Sequence, residues 1–226
     1  MPFPSRLKLL FRASRPTYWT TTLIFYLIGL LQAGSYPQSV PEIMLAVAFS
    51  APLCLIVMGG SDIHDYESDI KNPRKGQSWL DGRSVEKVDH AFVLQACKVA
   101  TISVILLAIP ASVQIPQTMA YVLIALGASW AYTTPPIRLK GRPFLDSICA
   151  GTLYWSIWAS GFCLRDGEGS TSLQGSNPSV WIFFFCAGLQ TFTAVLDQKA
   201  DSAADIRTIA TACGERMAAF LSTITL

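Results

Sequence analysis

Gly59-Gly60-Ser61-Asp62-Ile63-His64-Asp65-Tyr66-Glu67-Ser68-Asp69 follows a long apolar run ending near Met58 and precedes Lys71, Arg74 and Lys75. It places a cluster of carboxylates at a membrane edge. Read as a helix, it sets Asp62, Asp65 and Asp69 at i, i+3 and i+7, so all three project from one face. Like charges stacked this way repel and need a cation. A hard divalent ion with a preference for oxygen, Mg²⁺ first, meets that need when phosphate supplies the other ligands. A second set, Asp197, Asp201 and Asp205, stands at i, i+4 and i+8 just after another apolar run. Two such sets can face each other across one cavity. A single cluster is also what acidic residues flanking a membrane span would give; the second set on the same side weighs against that plainer reading. His64 falls on another face and reads as interfacial packing.

Hydrophobic residues make up 51% of the 226 residues and charged ones only 14%, against roughly 25% charged in soluble domains. With a mean hydropathy of +0.40, the composition points to a membrane protein. The net charge of +2 is too small to argue for a nucleic-acid partner. Cys54, Cys97, Cys149, Cys163, Cys186 and Cys213 lie in or beside apolar segments without a CxxC pair and read as free packing residues. Arg6, Lys8, Arg12 and Arg15 precede the first apolar run, and no short apolar region with a small-residue cleavage site follows, which argues against a cleaved signal peptide.

A bilayer span needs about 20 residues. Candidate spans run Tyr18–Ala33, Ile43–Gly60, Ala91–Ala108, Thr118–Tyr132, Ile148–Leu164 and Val180–Leu196. The expectation is therefore an all-α integral membrane bundle of about six spans in one domain, 1–226. A seventh span begins around Ile209 with the sequence ending at Leu226, so the domain is expected to be incomplete at its C-terminus. Basic residues crowd the N-terminal arm, the Asp62–Asp89 loop, the Thr133–Phe144 loop and the region of Lys199 and Arg207, while Gly34–Glu42 and Ile109–Gln117 have none. The positive-inside rule then puts the N-terminus and both aspartate sets on the cytoplasmic side. The stretch from Gly167 to Pro178 reads as a flexible loop on the other side.

The basic residues of these loops satisfy topology by themselves, yet some can also neutralise a diphosphate held through Mg²⁺. Arg74, Lys75 and Lys140 are the candidates. Pro135-Pro136 ends the fourth span and turns the chain into the basic loop. Of the aromatics Trp130, Tyr154, Trp155, Trp158, Phe183, Phe184 and Phe185, most are expected to face lipid. A minority can line a cavity and steady a carbocation.

These residues resemble the UbiA superfamily of intramembrane prenyltransferases, whose NDxxDxxxD motif after the second span and DxxxD motif after the sixth are matched by Ser61-Asp62-x-x-Asp65-x-x-x-Asp69 and Asp197-x-x-x-Asp201. Ser14-Arg15-Pro16, Pro135-Pro136-Ile137-Arg138-Leu139-Lys140 and Asp205-Ile206-Arg207-Thr208-Ile209-Ala210-Thr211 agree with it. Asp65-Tyr66-Glu67-Ser68-Asp69 with Asn72-Pro73-Arg74-Lys75, and Arg142-Pro143-Phe144-Leu145-Asp146, look like the branch of lycopene elongases and related prenyltransferases.

The resemblance implies a helical fold of about nine spans around a central cavity, Mg²⁺ held by Asp62, Asp65, Asp69, Asp197 and Asp201, and an allylic prenyl diphosphate whose prenyl group passes to a lipophilic acceptor. Ser61 stands where the family has Asn and still offers a hydroxyl to metal or phosphate. Two other readings follow from the same residues. One is a membrane terpene cyclase, in which the substrate's own double bonds capture the cation. The other is an inactive or truncated family member.

Overall fold

The computed structural model describes residues 3–34, 36–70, 84–164, 178–203 and 206–225, and every regular element among them is helical. The short α1, Phe3–Ala13, carries the basic arm. α2, Pro16–Gln32, opens with proline at its first position, where a missing N–H costs nothing and φ is already helical. α3, Val40–Phe49, is started by Ser39 and Glu42: the Glu42 Oε2 accepts from the N–H groups of Gln38 at 2.7 Å and Ser39 at 3.0 Å.

The second span is not one uniform helix. It breaks at Ser50, resumes as α4, Ala51–Cys54, widens into a π turn over Leu55–Gly59, and continues as α5, Gly60–His64. α6, Tyr66–Asp69, follows after one irregular residue. Such widened turns concentrate at functional sites because they re-aim the residues that follow; here those are Ser61 and Asp62.

α7 runs His90–Gln114, α8 Gln117–Thr133, α9 Leu145–Cys163 and α10 Pro178–Ala203. The sequence-expected spans thus all fall on helices. The rods Val40–His64, Lys87–Gln114 and Ser179–Ala203 are long and apolar enough to cross a membrane by length and composition. α2 and α8, 17 residues each, sit at the short end of the ~17–25 residues a span uses. Where a seventh span is expected, a helix starts at Ile209 but is broken into two short pieces. α11, Ile209–Cys213, stops at Gly214, whose φ of 85° only glycine adopts freely, and α12, Glu215–Thr225, restarts in a new direction.

α9 is the central post, packed against α2, α8 and α10. Its approach to α2 requires glycine on both sides: a Cβ at Gly29 would lie 2.2 Å from the Trp158 carbonyl oxygen, and one at Gly161 would lie 2.4 Å from that of Tyr26. Small residues allow the backbones to touch in this way. Tyr26, Leu30, Leu45, Phe49, Leu53, Ile56 and Ile157 form the fully buried core beside that contact. Ile102, Leu106, Ile109 and Val113 of α7 are exposed, as a lipid-facing stripe requires.

Candidate active site

The first aspartate set sits at the end of the second span. Asp65 interrupts the helix with φ −100° and ψ 7°. Its N–H still donates to the Ser61 oxygen, and the Asp69 N–H donates to the Asp65 oxygen, each at 2.8 Å. The single helix expected over the motif is thus split into α5 and α6, with Asp65 between them. All three carboxylates are buried, Asp62 with 1%, Asp65 with 3% and Asp69 with 7% of its surface exposed.

Cations from distant parts of the chain meet them. The Arg15 guanidinium donates to Asp62 Oδ1 at 2.6 Å. Asp65 receives Arg138 on Oδ1 at 2.7 Å and Lys140 on Oδ2 at 2.5 Å. Burial pushes the Asp65 carboxyl upward, but the Lys140 ammonium and the Arg138 guanidinium outweigh it and hold that carboxyl below the usual carboxylate range. The same balance runs in reverse at Lys140 and Arg15, where burial lowers and the neighbouring carboxylate more than restores the protonated form, leaving both raised.

Arg15 and Arg138 share a second feature. Both have positive φ, 46° and 35°, an uncommon conformation for a residue with a Cβ and one that packing must impose. Arg15 occupies the bend just before Pro16. Arg138 follows the turn where Thr134, extended ahead of Pro135 as the residue before a proline must be, ends α8. Sequence reading picked Lys140 and passed over these two arginines. Both arginines lie in stretches that resemble the family, Ser14-Arg15-Pro16 and Pro135-Pro136-Ile137-Arg138-Leu139-Lys140, but positive charge in a cytoplasmic loop is also explained by topology alone.

The second set projects from the end of α10, which touches α6. Asp197 and Asp201 are half-buried. Asp201 is hydrogen-bonded by the Thr208 side chain and lies within electrostatic reach of Lys140 and Asp65. Asp205, Arg74 and Lys75 lie outside the described residues. A cavity of about 400 Å³ is lined at its polar end by Ser61, by Arg15 and Lys140, the partners of Asp62 and Asp65, and by Asp197; Asp62, Asp65, Asp69 and Asp201 are not among its lining residues. Phe25, Leu153, Leu189 and Leu196, with the rings of Tyr18, Tyr132 and Tyr154, make up much of the rest. Gln190 fixes Tyr132 by donating to its hydroxyl at 2.9 Å. Of the aromatics singled out in the sequence, Tyr154 lines the cavity; Trp158 is instead buried, donating to Gln32 at 2.7 Å.

Among the described residues, no group of three or more histidine, cysteine, aspartate or glutamate side chains is drawn together as a ready metal cage. The donor set still fits Mg²⁺, which is commonly held by one or two carboxylates plus substrate phosphates and water. A polar end carrying the Asp197 carboxylate beside Arg15 and Lys140, opening into an apolar chamber, can hold an anionic head and a hydrocarbon tail.

The model of the UbiA prenyltransferase family matches residues 22–226. The chain belongs to the UbiA prenyltransferase family. It is 32% identical over 227 residues to a lycopene elongase/hydratase of Corynebacterium glutamicum, covering 97% of this chain and 74% of that protein. It is 31% identical over 223 residues to the C(50) beta-cyclic carotenoids biosynthesis protein LbtBC of Dietzia sp., covering 97% of this chain and 49% of that one. The structure of a UbiA homolog from Archaeoglobus fulgidus bound to DMAPP and Mg²⁺ superposes with a TM-score of 0.77 at 19% identity, over 96% of this chain and 74% of that chain. The fold is therefore that of the integral-membrane UbiA family, and the family resemblance carried by the aspartate motifs holds.

Proposed function

We propose that this UbiA-family chain ionises an allylic prenyl diphosphate with Mg²⁺ and transfers the prenyl group to a lipophilic acceptor at the cytoplasmic side of a membrane. The observation that carries the reading is the cavity whose polar end collects Arg15, Ser61, Lys140 and Asp197 while its body is apolar and aromatic. The names of the C. glutamicum and Dietzia relatives and the DMAPP and Mg²⁺ of the A. fulgidus structure support it. They also favour a carotenoid as the acceptor class.

In the reaction the allylic C–O bond breaks with its electron pair leaving on the diphosphate. A double bond of the acceptor then forms the new C–C bond to the allylic cation, and the adduct loses a proton. Arg15, Arg138 and Lys140 supply positive charge where the leaving diphosphate gains negative charge. Asp62, Asp65, Asp69, Asp197 and Asp201 are the residues that would hold Mg²⁺, which as a Lewis acid neutralises the leaving group. A diphosphate arriving at this end would compete with Asp65 for Arg138 and Lys140. The faces of Tyr132, Tyr154 and Phe25 suit a passing cation, and the apolar walls keep water from capturing it.

The test is reconstitution in lipid with labelled allylic diphosphates of increasing chain length, Mg²⁺, and lycopene present or absent. The reading expects Mg²⁺-dependent diphosphate release and a prenylated carotenoid that forms only with acceptor. A terpene hydrocarbon or alcohol made without acceptor would assign the chain to cyclisation instead, and neither release nor product would overturn the proposal.

A further inference from the structure

A second cavity, of about 460 Å³, opens sideways between α1, α4 and α7 and shares no lining residue with the first. Its α7 wall is the stripe Phe92, Ala96, Val99 and Ser103, and its other walls include Leu10 of α1 and Pro52 of α4. The hollow exists because small side chains, Ala51, Ala96 and Ala100, stand where larger ones would close it. The hydroxyls on its surface are already engaged within their own helices, Ser14 donating to the Phe11 oxygen at 2.9 Å and Ser103 to the Val99 oxygen at 3.0 Å. Gln95 is the other polar side chain in its wall, and the remaining lining is apolar.

Its length and its polar end identify what fits. From Phe92 to Ser103 the helix rises roughly 16 Å at about 1.5 Å per residue, close to the ~15 Å depth of one leaflet of a hydrocarbon core about 30 Å thick. At the Phe92 end the Arg6 guanidinium stands 5.1 Å from the ring centroid. Arg6 and Leu10 of α1, with Ser14 just past its end, form one i, i+4, i+8 row, so the cation continues the groove's own wall. Lys8 and Arg12 are exposed on the same helix beside exposed Leu7 and Phe11, the pattern of a helix lying in the headgroup layer.

We propose that this groove holds one acyl chain of an anionic phospholipid from the surrounding leaflet, with the headgroup phosphate on Arg6. A prenyl diphosphate is the poorer occupant, because no carboxylate lines the groove to hold a divalent ion.

The full chain in detergent is irradiated with phosphatidylglycerol or phosphatidylcholine carrying a diazirine in the acyl chain, and the labelled peptides are mapped. Label is expected on residues 92–103 or on Leu10 and Pro52, roughly fivefold stronger for phosphatidylglycerol, the preference one surface cation gives. Arg6→Gln removes that preference, whereas Ala96→Phe, or Ser103→Phe at the other end should the first not fold, removes the groove label for both lipids. Label elsewhere, equal labelling by the two lipids, a preference that survives Arg6→Gln, or displacement by excess geranyl diphosphate would each overturn the assignment. None of these residues lines the first cavity, so the result stands apart from any failure of the prenyl-transfer reading.

Discussion

The two aspartate sets hold the same kind of side chain in unlike settings. Asp62 and Asp65 are buried and meet Arg15, Arg138 and Lys140, whereas Asp197 and Asp201 are half-buried at a helix end, and Asp201 takes a hydrogen bond from the neutral Thr208 side chain. The first set is thus neutralised by the fold, and its cations are in turn held by it. Of the second, Asp197 lines the cavity and neither aspartate is fully buried.

That contrast predicts that equivalent truncations affect activity alike and stability differently. Asp65→Ala should cut diphosphate release by at least about 100-fold. It should also destabilise the protein by about 2 kcal/mol, less than the ~3–5 of a fully buried broken pair because Arg138 and Lys140 keep 35% and 30% of their side chains exposed. Thermal unfolding followed by tryptophan fluorescence, beside a turnover assay, measures both. Unchanged stability would show that the ion pairs are not holding the loop after α8 against α5.

Asp201→Ala should lower turnover by a comparable factor while changing stability by no more than about 1.5 kcal/mol, the low end for a hydrogen bond to a charged group, because the site is only half-buried. Retained activity in this variant would break the view that the two sets act on one substrate. A stability loss equal to that of Asp65→Ala would erase the distinction drawn above.

Acid sharpens the comparison further. Because the folded Asp65 carboxyl is held below its ordinary value, its contribution to stability is complete above the unfolded value of about 3.9. It is lost as pH falls through the lower folded value. Unfolding temperatures at constant ionic strength should therefore show no Asp65-dependent change between about pH 5 and 7 and a decline below about pH 4 that Asp65→Asn removes. An Asp65-dependent decline near pH 6 would contradict the pairing.

The smallest effect concerns Ser61, which lines the cavity with 7% of its surface exposed. Asn is longer and brings a carbonyl oxygen, a better hard-cation ligand than a hydroxyl. Ser61→Asn should leave the Mg²⁺ midpoint of turnover unchanged or lower it within about threefold, roughly 0.7 kcal/mol. A rise in that midpoint would show that position 61 does not serve the metal and diphosphate.

The apolar run before them was enough to place Asp62, Asp65 and Asp69 at a membrane edge, but the break at Asp65, which splits the expected helix into α5 and α6, was not legible. Apolar segment length was enough to place the spans, within a few residues, since a bilayer demands a minimum run. Which cation meets which carboxylate was not legible. Arg15 reaches across 47 residues and Arg138 across 73, and the positive-inside bias gives every cytoplasmic loop the same sign, so charge alone cannot single out a partner. The same holds for the contact of Gly29 with Trp158 and for the hollow beside α7. Composition and spacing determined that this chain is a helical membrane protein with two acidic motifs; the packing of α9 against α2, α8 and α10 decided how Arg15, Ser61, Lys140, Asp197 and the aromatic walls come to line one cavity, because that depends on close helix approach rather than on any local preference.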